Sequence, residues 1–137
     1  MPLILIFDGN SLMHRAYHAM PPLTSPRGDL VNAVYGFFSI WLSVVKRFQP
    51  DSTAVAFDTK GPTFRDKLFK EYKAKRVKPP DSFYQQIPII KQLLKDIEVP
   101  MLEKSGFEAD DLIGTLAKKL GRDSWEIIIV TGDQDTF

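Results

Sequence analysis

Three short apolar runs in this chain each lead straight into an acidic turn, and that pattern limits the folds open to it. Leu3-Ile4-Leu5-Ile6-Phe7 is followed by Asp8, and Thr53-Ala54-Val55-Ala56-Phe57 by Asp58. Glu126-Ile127-Ile128-Ile129-Val130 is followed by Thr131-Gly132-Asp133-Gln134-Asp135. The first run, short and continuously apolar, is the signature of a strand covered on both faces, as in a parallel sheet, and the other two read as further strands.

Helix-length segments separate the runs. Ser11 is placed to cap a helix carrying Leu12, Arg15, Ala16 and Ala19. Pro21, Pro22, Pro26 and Gly28 mark a loop, after which Asn32 or a neighbour starts a long buried helix that ends before Pro50. Asp81 or Ser82 caps a helix with Ile87, Ile90, Leu93, Leu94 and Ile97 inward, and Val99 to Leu102 reads as a third strand weakened by Pro100. A last helix starts after Gly106, with Leu112, Ile113, Leu116, Ala117 and Leu120 recurring at helical spacing. Strands alternating with helices predict a parallel, Rossmann-like α/β sheet, with every C-terminal strand end on one edge.

The start of the last helix is unusual. Glu108, Asp110 and Asp111 place three carboxylates in four residues. On a helix Glu108 and Asp111 lie about 60° apart, with Asp110 about 100° from Asp111, so all three can face one solvent region. Acids favour a helix N-terminus through the macrodipole, which accounts for one or two of them. Three side by side repel unless a cation lies between them. With Asp8, Asp58, Asp133 and Asp135, the sheet edge gathers seven carboxylates. The chain has no Cys, and His14 and His18 sit on a separate helix, so the donors are hard oxygens suited to Mg²⁺ or Mn²⁺ rather than Zn²⁺. Two ions bridged by carboxylates suit phosphodiester hydrolysis, activating water and stabilising the leaving oxygen.

The formal net charge of +1 hides an asymmetry. Between Lys60 and Lys78 stand eight basic and two acidic residues, whereas from Glu98 onward stand nine acidic and four basic ones. Lys67, Lys70 and Lys73 form a stripe at three-residue spacing, with Arg65 and Arg76 nearby. Phe64, Phe69 and Tyr72 offer rings on which unpaired bases can stack. The segment has few aliphatic residues, cannot bury a full face, and is expected to project from the body. A plain solvated helix is the alternative; an acidic metal crevice beside it favours a polyanionic partner. Leu30 to Val45 is too short and mixed to span a bilayer, and the N-terminus is not that of a signal peptide.

These residues resemble a known family. D-G-N-S-L-M-H-R-A-Y-H-A-M-P-P-L from Asp8, A-V-A-F-D from Ala54 and T-F-R-D-K-L-F-K-E-Y-K-A-K-R from Thr63 carry the likeness. So do F-E-A-D-D-L-I-G-T-L-A from Phe107 and T-G-D-Q-D from Thr131. The chain is similar, nearly end to end, to the N-terminal part of the 5′-nuclease domain of bacterial DNA polymerase I, a relative of flap endonucleases and PIN domains. The resemblance implies a 5′→3′ exonuclease and structure-specific 5′-flap endonuclease that uses two divalent ions. It acts on DNA with a flap, free 5′ end or nick, in the replication and repair of bacterial, nucleoid-associated DNA in the cytoplasm.

It assigns metal or catalytic roles to Asp8, Asp58, Glu108, Asp110 and Asp111, and further metal positions to Asp133 and Asp135. It implies a helical arch over about residues 60–80, in which Arg65, Lys73 and Arg76 contact phosphate, with Lys73 and Arg76 counted among the catalytic groups. Lys67 and Lys70 join the DNA-binding set, Tyr72 stacks near the scissile nucleotide, and Arg15 lies close to the metals. The family's helical DNA-binding element and a further acidic pair lie beyond the stretch matched by these 137 residues, and a polymerase domain is expected on the same or a partner chain. The alternatives are a non-catalytic DNA-binding fragment and a PIN-type ribonuclease, which usually lacks a long basic insertion. A haloacid-dehalogenase-like phosphatase is disfavoured because Asn10 stands where its second Asp belongs.

Overall fold

The computed structural model describes residues 1–59 and 81–132. Strand β1 (Leu3–Asp8) is the hinge of the architecture, because strands pair on both of its sides. The sheet order is β3-β2-β1-β4, with β2 at Ser52–Ala56, β3 at Met101–Leu102 and β4 at Glu126–Val130. Every pairing is parallel, and the register sets Asp8 beside Ala56 and Phe7 beside Val130. The α/β parallel sheet expected from the sequence is therefore present.

Alternation along β1 feeds two cores. Leu5 and Phe7 face one side of the sheet with Val55, and helices α1 (Gly9–Ala19), α2 (Asn32–Phe48) and α4 (Ile87–Asp96) cover them through Leu12, Met13, Phe37, Ile90 and Leu94. Ile4 and Ile6 face the other side with Ala56, under Ala109 and Ile113 of helix α5 (Ala109–Arg122). The connections step outward from β1 to β2 and β3 and then jump back across β1 to β4. The direction of winding thus reverses at β1, the point at whose C-terminal strand ends open α/β sheets place ligands.

Several details differ from the sequence expectation. Asp8, not Ser11, caps α1: its side chain accepts from the Ser11 N–H. Helix α2 is buried on one face only, with Tyr35 and Leu42 well exposed. The segment after Asp81 is two helices, α3 (Asp81–Tyr84) and α4, broken before Pro88, so Leu93 and Ile97 turn outward. Strand β3 shrinks to two residues, although the Pro100 carbonyl still accepts from Val55 N–H. Among the described residues β4 pairs on one side only, with β1, and Ile129 is 44% exposed. The basic segment and Asp133–Asp135 lie outside the described residues.

A buried polar knot joins α1, α2 and α3. Gln86, fully buried, accepts from Ala33 and Val34 N–H through its Oε1, satisfying donors at the start of α2. Its Nε2 donates to Asn32 Oδ1 and Ser82 O, while Asn32 Nδ2 donates to Tyr17 O. Beside it Phe83 is buried against the rings of His14 and Tyr17, and Tyr17 shares a 2.7 Å hydrogen bond with Ser82. These contacts tie residues 82–86 to α1 and α2. Among the described residues, no helix is long and apolar enough to cross a membrane.

Candidate metal centre at the sheet edge

Asp8 is the last residue of β1 and the N-cap of α1, so strand pairing and helix capping fix its position together. It is buried, at 9% exposure. Burial pushes its carboxyl from 3.8 up to about 6, opposed by the Ser11 hydrogen bonds and reinforced by the negative charges of Asp110 and Asp58. Three acids from three strand-end segments therefore act in one electrostatic neighbourhood, as the topology requires.

Asp58 lies two residues past the end of β2. Its backbone N–H donates to Asn10 Oδ1 at 2.7 Å, and its Oδ1 accepts from Ala109 N–H at 2.6 Å. The second bond satisfies a free donor at the start of α5 and draws the acidic helix onto the end of β2. Gly106, at φ +87°, makes the turn that leads into this start. Glu108 is the N-cap of α5 rather than a helical residue, and Asp111 is its partner in a reciprocal capping box, accepting from Glu108 N–H at 3.1 Å. The capping explanation thus applies to Glu108 and Asp111, and the exposed Asp110 is the helix-start acid whose charge acts on Asp8.

On the other side, Thr131 and Gly132 follow β4 and meet the first turn of α1. Ser11 Oγ lies 3.0 Å from Thr131 Oγ1 and accepts from Gly132 N–H at 3.0 Å. Arg15, one turn further along α1, is exposed, and its Cβ stands 3.0 Å from where a side chain on Gly132 would begin. Arg15 thus lies against the residues that follow β4. Arg65, Lys67, Lys70, Tyr72, Lys73, Arg76, Asp133 and Asp135 lie outside the described residues.

The donor chemistry suits a hard divalent cation: every acid here offers oxygen, and Asp8 is kept at a site where a cation would relieve both desolvation and repulsion. Among the described residues, however, no three such side chains stand together as a ready metal cage. Asp8, Asp58 and Asp110 share one electrostatic neighbourhood without forming a cage among the described residues. Sequence reasoning missed the parts that arrange it, namely Asn10, Ser11, Thr131 and Gly132. The signal was available, because Asn and Ser directly after a strand-end Asp are the residues that bond to nearby backbone.

A parallel α/β sheet with acids at the C-terminal ends of β1 and β2 and at the start of α5 belongs to the open α/β class, whose ligands bind at the C-terminal strand ends. Within it, the sequence profile described as 5′-3′ exonuclease, N-terminal resolvase-like domain, matches residues 3–137, and the chain belongs to that family. DNA polymerase I of Caldicellulosiruptor bescii is 41% identical over 134 residues, which cover 98% of this chain and 16% of that protein. The 5′-3′ exonuclease of Aquifex aeolicus is 39% identical over 135 residues, covering 98% of this chain and 47% of that one. The T5 D15 protein, co-crystallised with metal ions, shares the fold with a TM-score of 0.71 at 21% identity, over 96% of this chain and 49% of its own. The T5 D15 flap endonuclease in complex with DNA and metal ions matches at a TM-score of 0.69 and 20% identity, again over 96% of this chain and 49% of its own. This chain spans about a sixth of the polymerase relative and about half of the exonuclease.

Proposed function

We propose that this chain is the metal-facing part of a divalent-metal-dependent 5′→3′ exonuclease and 5′-flap endonuclease acting on DNA in replication and repair. The observation that carries the reading is the convergence on Asp8. Its carboxyl is buried at the switch point and raised to about 6, in part by the acids that follow β2 and open α5. Asp8, Asp58 and Asp110 form the centre of the metal-holding set, with Glu108, Asp111, Asp133 and Asp135 completing it. Mg²⁺ or Mn²⁺ fits these oxygen donors; two such ions, when bound, supply Lewis acidity and an activated water for phosphodiester hydrolysis.

The chain's own residues do the rest. Above about pH 6 Asp8 is ionised and ready to pair with a cation. Asn10 and the Ala109 N–H hold Asp58 from two sides. Arg15, beside the residues that follow β4, offers a guanidinium to phosphate. Arg65, Lys67, Lys70, Lys73 and Arg76 would grip the backbone of a 5′ strand, with Tyr72 stacking on a base and Lys73 and Arg76 nearest the scissile phosphate. Residues 1–137 make up the N-terminal part of the nuclease domain, with the basic segment of about residues 60–80 as its arch. A polymerase domain on the same polypeptide, as in the polymerase I relatives, and a bacterial cytoplasmic setting fit this reading.

The test is cleavage of a labelled 5′-flap DNA in Mn²⁺, comparing this chain with a version extended by a downstream half like that of the Aquifex relative. The extended form should cut at the flap junction, stop on chelation, and fail when Asp58 is changed to Asn. The shorter form should cut poorly, because in-line attack needs both the metals and a firm hold on the duplex. Absence of cleavage by both forms would refute the reading, and preference for an RNA strand would favour the PIN-type ribonuclease.

A further inference from the structure

Among the described residues the sheet has β3 and β4 at its edges, and the two are built differently. Strand β3 is only Met101–Leu102 and follows Pro100, the short, proline-guarded form in which an edge resists pairing with other chains. Strand β4 reads Glu-Ile-Ile-Ile-Val, with no proline, no lysine and no break in its register with β1. Its β-branched residues favour the extended backbone. Among the described residues it pairs with β1 alone, and Ile129 stands 44% exposed.

One bond shows which backbone groups face outward. The Glu126 N–H donates to the Pro2 carbonyl at 2.8 Å, on the β1 side. The N–H and C=O of a strand residue point the same way, and that direction alternates along the strand. Glu126, Ile128 and Val130 therefore turn their backbone to β1, and Ile127 and Ile129 turn theirs to the outer edge. Ile127 packs with Ile4 and Ile6 on one face of the sheet, and Ile128 with Leu5 and Phe7 on the other. Alternation puts Ile129 on the face of Ile127.

We infer that the β4 edge is a docking surface for a second copy of this chain, the two β4 strands pairing antiparallel about a two-fold axis at Ile128. The strand is self-complementary in that register. Ile127 of one copy stands opposite Ile129 of the other as a pair that exchanges both backbone bonds, and the symmetry-related pair does the same. Side chains of opposite residues share a face, so Ile127 of each copy covers the exposed Ile129 of the other. Ile128 meets its own counterpart across the axis as a close pair without hydrogen bonds. Glu126 falls opposite Val130, so no like charges oppose each other along β4. Moving the axis to a neighbouring residue leaves part of each strand unpaired. The pairing uses no carboxylate of the metal centre, so it stands or falls apart from the function proposed above.

Sedimentation of the 137-residue chain in chelator should show a monomer–dimer equilibrium that moves toward dimer with concentration. Ile129→Lys places a charge at a half-exposed edge position and should weaken the dimer roughly tenfold, with its circular dichroism unchanged. The chain has no cysteine, so a single introduced one reports the register. Ile128→Cys should cross-link two copies under mild oxidation, because residues opposite each other at the axis lie about 4.5 Å apart between Cα atoms, within reach of a disulfide. Ile129→Cys should cross-link far less, although its thiol is the more exposed, since its own counterpart lies off the axis at more than about 7 Å. A chain that stays monomeric up to its solubility limit, a dimer indifferent to Ile129→Lys, or cross-linking that favours Ile129→Cys would overturn the inference. Monomers whose Ile127 and Ile129 amides resist hydrogen exchange would do so too, by showing the edge occupied from within the chain.

Discussion

Replacing Asp8 with Asn should stabilise the metal-free protein at neutral pH while removing its response to metal. The carboxyl titrates at about 6 in the fold against 3.8 ordinarily, chiefly because it is buried and secondarily because Asp110 and Asp58 repel its charge. The folded state therefore holds the Asp8 proton more tightly than the unfolded chain does. Its contribution to stability is fully present below about pH 4 and is lost as pH rises through about 6. The gap between 3.8 and about 6 corresponds to up to about 3 kcal/mol, at about 1.4 kcal/mol per pH unit. Asparagine keeps an oxygen to accept from Ser11 N–H, so the helix cap survives the change. Urea or thermal unfolding in chelator should thus show Asp8→Asn more stable than wild type at pH 8, with a melting temperature higher by roughly 5–10 °C. The advantage should shrink steadily between pH 6.5 and 4. Added Mn²⁺ should stabilise wild type by mass action and Asp8→Asn much less. A variant less stable than wild type at pH 8, or a difference that ignores pH, would refute the claim that an ionised Asp8 is held against its own solvation.

Other perturbations test the frame around the site. Gly114→Ala, in an open position of α5, should gain about 0.5–1 kcal/mol from helix propensity, whereas Gly9→Ala should lose about 1–3 kcal/mol by pressing on Phe57; chemical denaturation separates the two signs. Gln86→Leu strands the Val34 N–H, leaves the Ala33 N–H only its bond to Asn32 Oδ1, and should cost about 1–3 kcal/mol, so a loss below about 0.5 kcal/mol in urea would contradict the buried knot. Lys73→Ala with Arg76→Ala should weaken binding to single-stranded DNA and flatten its salt dependence while leaving the melting temperature nearly unchanged; an unchanged salt slope would assign both to a solvated face.

How much of this was legible in the sequence varies with how local the cause is. The Leu3–Phe7 run announces a strand buried on both faces, and β1 is that strand, because five successive apolar residues have no polar side to show. Asp8 and Asp58 at strand ends, and the acids at the start of α5, follow from the same alternation once the sheet is parallel. The run Glu126–Val130 reads as a strand, and β4 is that strand; that Ile129 is exposed among the described residues depends on neighbours and not on composition. Likewise the capping box between Glu108 and Asp111, and the action of the Asp110 charge on Asp8, emerge only in the packed geometry. The sequence by itself determined the layer architecture and which strand ends carry acids, through periodicity and local chemistry. Only the tertiary structure decided how Asn10, Ser11, Gln86 and Asn32 are used. Several of their hydrogen bonds join segments far apart in the chain, such as Asn10–Asp58 across 48 residues, Gln86–Asn32 across 54 and Ser11–Gly132 across 121, and no local pattern encodes such a pairing.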